Sequence, residues 1–105
     1  MGSPNEVGHN GGNVVKKGKW YSKPGTGGDA TARLVVGVEW STTGRGVDVR
    51  YRTRWPVKQG GHVLAETTAT AAEWTRFMKW GGVVQPDSWE PHWFAGIPHG
   101  PSIKD

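Results

Sequence analysis

Between Val47 and Trp55 the side chains alternate without a break. Val47, Val49, Tyr51, Thr53 and Trp55 fall on one side, and Asp48, Arg50, Arg52 and Arg54 on the other. A period of two sends successive side chains to opposite faces, so the segment predicts a β-strand with one buried face and one face carrying three guanidinium groups. In Arg33 to Ser41 the same period puts Leu34, Val36, Val38 and Trp40 on one face and Val35, Gly37 and Glu39 on the other, which predicts a strand covered on both sides over part of its length. The connection Thr42-Thr43-Gly44-Arg45-Gly46 has the length and chemistry of a hairpin loop. Gln59-Gly60-Gly61 reads as a further turn, and His62 to Thr67 as a third strand. Val14 to Tyr21 predicts a short first strand, with Lys16, Lys17, Lys19 and Lys23 blunting an exposed edge.

The period then changes. Thr70-Ala71-Ala72-Glu73 is a capping box, in which hydroxyl and carboxylate each satisfy an orphan backbone donor. It predicts a helix from Ala71 to about Trp80, with Trp74, Phe77 and Met78 recurring at i, i+3 and i+4 to face the sheet and Gly81-Gly82 as the stop. Beyond Gly82 the prolines at 86, 91, 98 and 101 exclude a long helix and a central strand. Trp89, Trp93, Phe94 and Ile97 nevertheless give this segment apolar anchors, so it either wraps its own domain or docks on another molecule. Residues 1–13 hold one aliphatic residue besides Met1 and read as an extended arm. The predicted organisation is an arm over 1–13, a single α+β domain over 14–82 and a Pro/Trp-rich C-terminal arm over 83–105. The fold class is α+β: a small antiparallel sheet of three or four strands with one helix packed on it.

Composition narrows the chemistry. A chain of 105 residues suffices for one domain, and 7 Trp offset an apolar fraction of only 34% by the large area each ring buries. With 0 Cys, disulfide scaffolds, thiolate zinc sites and cysteine nucleophiles are excluded. No apolar run approaches the roughly 18 residues of a membrane span, and the N-terminus has no apolar signal-peptide core. The expectation is a cytoplasmic or virion protein, not secreted by a signal peptide and not bound to membrane. Residues 1–60 carry ten Lys or Arg against four Asp or Glu, whereas 81–105 carry one against three. A basic body with an acidic tail suits an acidic partner, another copy of the chain included.

Catalytic groups are sparse. There are 4 His and 9 carboxylates, with no Gly-x-Ser-x-Gly elbow and nothing spaced as a site. Zinc sites bring closer pairs and more ligands than His92 and His99 supply. The expectation is therefore no catalytic residue, no metal, no cofactor and no small-molecule substrate. Arg50, Arg52 and Arg54, with Arg45 and Lys58 nearby, are candidate contacts to an acidic partner or to nucleic acid, since alternate strand positions lie about 6.6 Å apart, close to the phosphate spacing. Trp20, Tyr21 or Trp55 would then stack on bases. Against this, the same arginines can pair across strands with Asp48, Glu39 or Glu66. Trp89, Trp93, Phe94 and Ile97 are the candidate partner-binding residues.

The order Trp20, Gly27-Gly28, Val38-Glu39, Val47-x-Val49-Arg50, Val63-Leu64 and Ala72-Glu73-Trp74-x-x-Phe77 resembles a small actinobacterial domain of unknown function. Members of that family are often encoded beside helix-turn-helix regulators of the Xre type. The resemblance covers roughly residues 20–80. The chain departs from it at Ser22-Lys23-Pro24 and at Gly37, where that family has a serine-rich stretch and a Cys, and it adds the C-terminal segment. The functional expectation is a non-enzymatic protein working through protein contacts, a small accessory subunit of a larger assembly such as a phage particle. The resemblance implies an alternative, a regulatory partner of a helix-turn-helix protein, and the arginine face a third, direct nucleic-acid binding.

Overall fold

In the computed structural model the described residues are 9–10, 13–24, 29–42 and 46–102. In chain order the strands are His9–Asn10 (β1), Asn13–Val14 (β2), Trp20–Ser22 (β3), Arg33–Trp40 (β4), Val47–Pro56 (β5) and His62–Ala69 (β6). Helix Ala71–Lys79 (α1), strand Val83–Val84 (β7), a 3-10 turn Phe94–Gly96 and strand His99–Ser102 (β8) follow. β1 and β2 pair with each other, and the other strands form a 6-stranded sheet in the order β7-β3-β4-β5-β6-β8. Its neighbours are antiparallel except β8, which runs parallel to β6. The fold is α+β, as the alternation and the capping box imply.

The sheet is wider than the three or four strands expected. β7 and β8 both come from the proline-bearing segment, and both lie at sheet edges, where a residue without an N–H leaves no ladder bond unmade. The first strand is also shorter than Val14 to Tyr21: β2 stops at Val14 and β3 starts at Trp20, with a turn between them whose Gly18 N–H donates to Val35 O at 2.8 Å. In β4 the strict alternation fails. Its pairing with β5 slips between Val35 and Gly37, and this one-residue bulge puts Val35 and Val38 on the same face, both in the core.

That shared face is covered by α1. Thr70 caps it, accepting from Glu73 N at 3.2 Å while Glu73 Oε1 accepts from Thr70 N at 2.9 Å. Trp74 and Phe77 point into the sheet and pack with Tyr21, Val35, Val38, Val47, Val49 and Ala69. The Trp74 ring meets Tyr21 edge-on at 5.2 Å and Tyr51 at 6.0 Å. After the helix Gly82 N–H donates back to Phe77 O at 3.1 Å, an approach so close that a Cβ on Gly82 would lie 2.6 Å from Phe77 Cε2.

Trp20 and Tyr21 are consecutive on β3, so they face opposite ways. Tyr21 joins the helix layer; Trp20 meets Trp89, Trp93 and Phe94 of the C-terminal segment at 6.1, 5.9 and 5.1 Å. This segment leaves β7 at one edge, crosses the face opposite α1 and enters β8 at the other edge. It covers Leu64, which is buried although it belongs to that face. Gln85 Nε2 donating to Ser22 Oγ at 2.7 Å and Lys19 paired with Asp87 tie down its start. The sheet is thus sandwiched between one helix and the chain's own tail. No helix among the described residues is long and apolar enough to cross a membrane.

Candidate functional site

The arginine row lies on the tail-covered face. Arg50 stands opposite Gly37 on β4, and its guanidinium lies where a Cβ would otherwise be, with Nη2 2.5 Å from that position. Arg50 Nη1 is 3.6 Å from Glu39 Oε2, and its Nε is 3.3 Å from Glu66 Oε2. Arg50 Nε makes no hydrogen bond, so the contact with Glu66 is ionic rather than a directed bond. Arg52 Nε donates to Glu66 Oε1 at 3.3 Å, and its Nη1 lies 3.2 Å from His99 Nδ1. Arg54 sits over the Trp93 ring at 5.3 Å. Lys58 is exposed in the turn between β5 and β6, aligned with none of these, and Arg45 lies outside the described residues. Cross-strand pairing therefore engages Arg50 and Arg52 within the chain.

The tail aromatics are likewise brought together by the chain itself. Trp89, Trp93 and Phe94 surround Trp20 and remain half-buried. Trp93 Nε1 donates to Asp29 O at 2.7 Å, and His92 Nδ1 contacts the Asp29 carboxylate. Ile97, half-buried, follows the 3-10 turn and donates to Phe94 O at 3.4 Å.

A groove opens on the other face, between the C-terminal half of α1 and the sheet. Its volume is about 360 Å³, and an adjoining hollow of about 270 Å³ shares Lys23, Arg33, Tyr51, Trp55 and Phe77 with it. Arg33 starts β4 opposite Thr53 and Tyr21 and so points to the helix side. Its guanidinium lies 3.9 Å from the Phe77 ring centroid, 4.7 Å from Tyr51 and 5.8 Å from Trp74. Burial lowers the Arg33 pKa from its ordinary value, against weaker opposing effects of Tyr51 and Glu73. Among the described residues no carboxylate forms an ion pair with it. Lys23 and Arg76 also line the groove, Lys23 Nζ lying 5.2 Å from the Trp80 ring. Glu73 is the acid on this wall, and its carboxylate caps the Thr70 N–H.

The rim is apolar. Trp55, at the end of β5, is 44% exposed, and Trp80, which caps α1, is 70% exposed. A half-buried guanidinium, aromatic walls and exposed indoles make a surface suited to gripping an anion attached to an apolar body. Among the described residues no group of three or more His, Cys, Asp or Glu could hold a metal ion.

Arg33 and Trp80 are absent from the residues that the sequence nominates. The signal for Arg33 is a charge in phase with Val35, but the alternation alone does not say which of the two faces of β4 meets the helix; the pairing of Arg33 with Thr53 and of Val35 with Tyr51 does. Trp80 falls off the Trp74, Phe77 and Met78 stripe, as an exposed helix end does. No protein-family model matches this chain, and no curated protein or solved structure matches it either.

Proposed function

We propose that this chain is a non-enzymatic protein that works through protein contacts, as a small accessory subunit of a larger assembly such as a phage particle. The groove beneath Trp55 and Trp80 carries the reading. Trp, Tyr and Arg are the side chains that concentrate binding energy at protein interfaces, and all three types converge there around Arg33, Tyr51 and Trp80. The opposite face is covered by the chain's own tail, which leaves the helix side for a partner.

The test is a photo-crosslinking residue in place of Trp80, introduced in the native cell. The expected result is an adduct with one defined protein, both sedimenting with a large assembly. Sedimentation of the whole pool as free monomer without an adduct refutes the proposal. An adduct with a helix-turn-helix protein would replace the assembly role by the regulatory one.

A further inference from the structure

The groove has an electrical preference that the protein-contact reading does not contain. Lys23, Arg33 and Arg76 line it, against the single carboxylate of Glu73. That carboxylate accepts from the Thr70 N–H at 2.9 Å; its charge reaches Arg33, but it forms no ion pair with a groove cation among the described residues. The other face is arranged differently: Glu39 and Glu66 stand within 3.6 Å of Arg50 and Arg52. Among the described residues none of the three groove cations has a carboxylate partner, whereas in the arginine row on the other face only Arg54 lacks one, lying instead over the Trp93 ring.

Arg33 is the centre of this imbalance. Aromatic rings lie 3.9 and 4.7 Å from its guanidinium carbon, and rings cannot accept the in-plane N–H bonds of the fork. A planar guanidinium set among aromatic rings, with no hydrogen bond to its edge donors among the described residues, matches a carboxylate in two-point geometry. Holding that fork in place before binding also removes much of the ordering cost of the contact. A volume of about 360 Å³ is at the small end of ligand clefts, room for a side chain or two rather than a folded element.

Resting on the protein-contact reading, we infer that the groove takes an acidic segment of the partner protein, with an Asp or Glu carboxylate seated on Arg33. Lys23 and Arg76 flank the seat, and Trp55 and Trp80 cover the apolar stems of the neighbouring side chains. A nucleic-acid strand fits less well. One face of Trp80 already carries Lys23 at 5.2 Å, which removes a stacking platform, and in the arginine row with phosphate-like spacing Arg50 and Arg52 are paired with carboxylates while Arg54 lies over the Trp93 ring.

The experiment is an NMR titration of the whole chain, isotope-labelled, with blocked tetraglutamate, blocked tetraglutamine and tetrathymidylate in parallel. Tetraglutamate is expected to move the indole N–H signals of Trp55 and Trp80 and the Arg33 Nε–H, with an affinity that falls as salt rises. Arg76→Gln, an exposed change that leaves the fold intact, should weaken it about tenfold; Arg33→Met should abolish the saturable shifts. Equal binding of tetraglutamine overturns the acidic occupant and leaves the protein-contact reading standing. Tighter binding of tetrathymidylate overturns it in favour of nucleic acid. The absence of shifts with all three overturns it as well, and the crosslink at position 80 then decides the broader reading separately.

Discussion

Replacing Trp93 by Ala removes three contacts at once. The indole stacks edge-on against Trp20 at 5.9 Å, donates from Nε1 to Asp29 O at 2.7 Å and lies beneath the Arg54 guanidinium at 5.3 Å. An edge-to-face aromatic pair contributes about 0.5–1.5 kcal/mol beyond its buried area. A net hydrogen bond adds about 1 kcal/mol, and an exposed cation–π contact about 0.5–1 kcal/mol. Trp93→Ala should therefore cost about 3 kcal/mol, below the top of the range for a fully buried Trp because this ring is half-buried. In a chain of 105 residues that loss lowers Tm by about 10–20 °C.

The assay is urea unfolding followed by far-ultraviolet circular dichroism, which avoids the overlapping fluorescence of the other tryptophans. Trp93→Phe separates the parts: it keeps a ring against Trp20, loses the bond to Asp29 O, and should cost about 1 kcal/mol. A loss below about 0.5 kcal/mol for Trp93→Ala, the range of ordinary surface changes, would refute the packing of the tail on β3 and return Trp93 to the residues free for a partner. An unchanged denaturant slope should accompany the loss, since the tail and the sheet then unfold as one unit.

Four further outcomes follow from the geometry. Thr70→Ala should cost about 1 kcal/mol, and because Thr70 and Glu73 cap reciprocally, the double change with Glu73→Ala should cost less than the sum of the singles in the same urea assay. Gly82→Ala would place a Cβ 2.6 Å from Phe77 Cε2 and 3.0 Å from Phe77 O, so it should lower stability by about 1–3 kcal/mol in thermal denaturation. Burial raises the Tyr21 pKa above the ordinary tyrosine value of 10.0, despite the Lys16 N–H that donates to its oxygen; stability should therefore be level in this respect below pH 10.0, fall as pH rises from there through the folded-state pKa, and lose that slope in Tyr21→Phe, as urea midpoints across the alkaline range will show. Arg33→Met should leave the unfolding free energy from the urea assay within about 1 kcal/mol of the parent, because it removes the cost of a partly desolvated charge along with its ring contacts; a loss well beyond that would make Arg33 a structural residue rather than a binding one.

Local periodicity made the centre of the molecule legible. β5 matches its predicted start at Val47 and runs one residue past Trp55, and α1 begins at Ala71 behind the Thr70 capping box, because a strand of nine alternating positions and a reciprocal cap each carry their signal within a few residues. The bulge in β4 left a fainter trace. Gly37, the residue that marks it, permits the slip by leaving room for Arg50 across the pair, and a glycine inside a strand pattern is the cue for such a site. β7 and β8 had no periodicity to read: each is short, and each is made by pairing with a strand distant in sequence. The groove was hidden for the same reason, since Lys23, Arg33, Trp55 and Trp80 come from four separate stretches.

The placement of charge shows why a count of arginines misleads about binding. Arg50 and Arg52 stand out in the sequence because they are regularly spaced, yet regular spacing on a strand is also what aligns them with Glu39 and Glu66 on the strands either side. Direct pairing of Arg52 with Glu66 and diagonal pairing of Arg50 with Glu39 and Glu66 leave little for a partner there, since a newcomer must first displace a carboxylate that is already within 3.6 Å. Arg33 makes no such pattern, but its register opposite Thr53 turns it toward rings that supply no carboxylate. A cation held there retains unmet hydrogen-bonding capacity among the described residues, and an arriving carboxylate can meet it without breaking an existing pair. We therefore place the proposed recognition on the helix side, where Arg33 has no carboxylate among the described residues, rather than on the arginine face, where Arg50 and Arg52 already have theirs and Arg54 is held over Trp93.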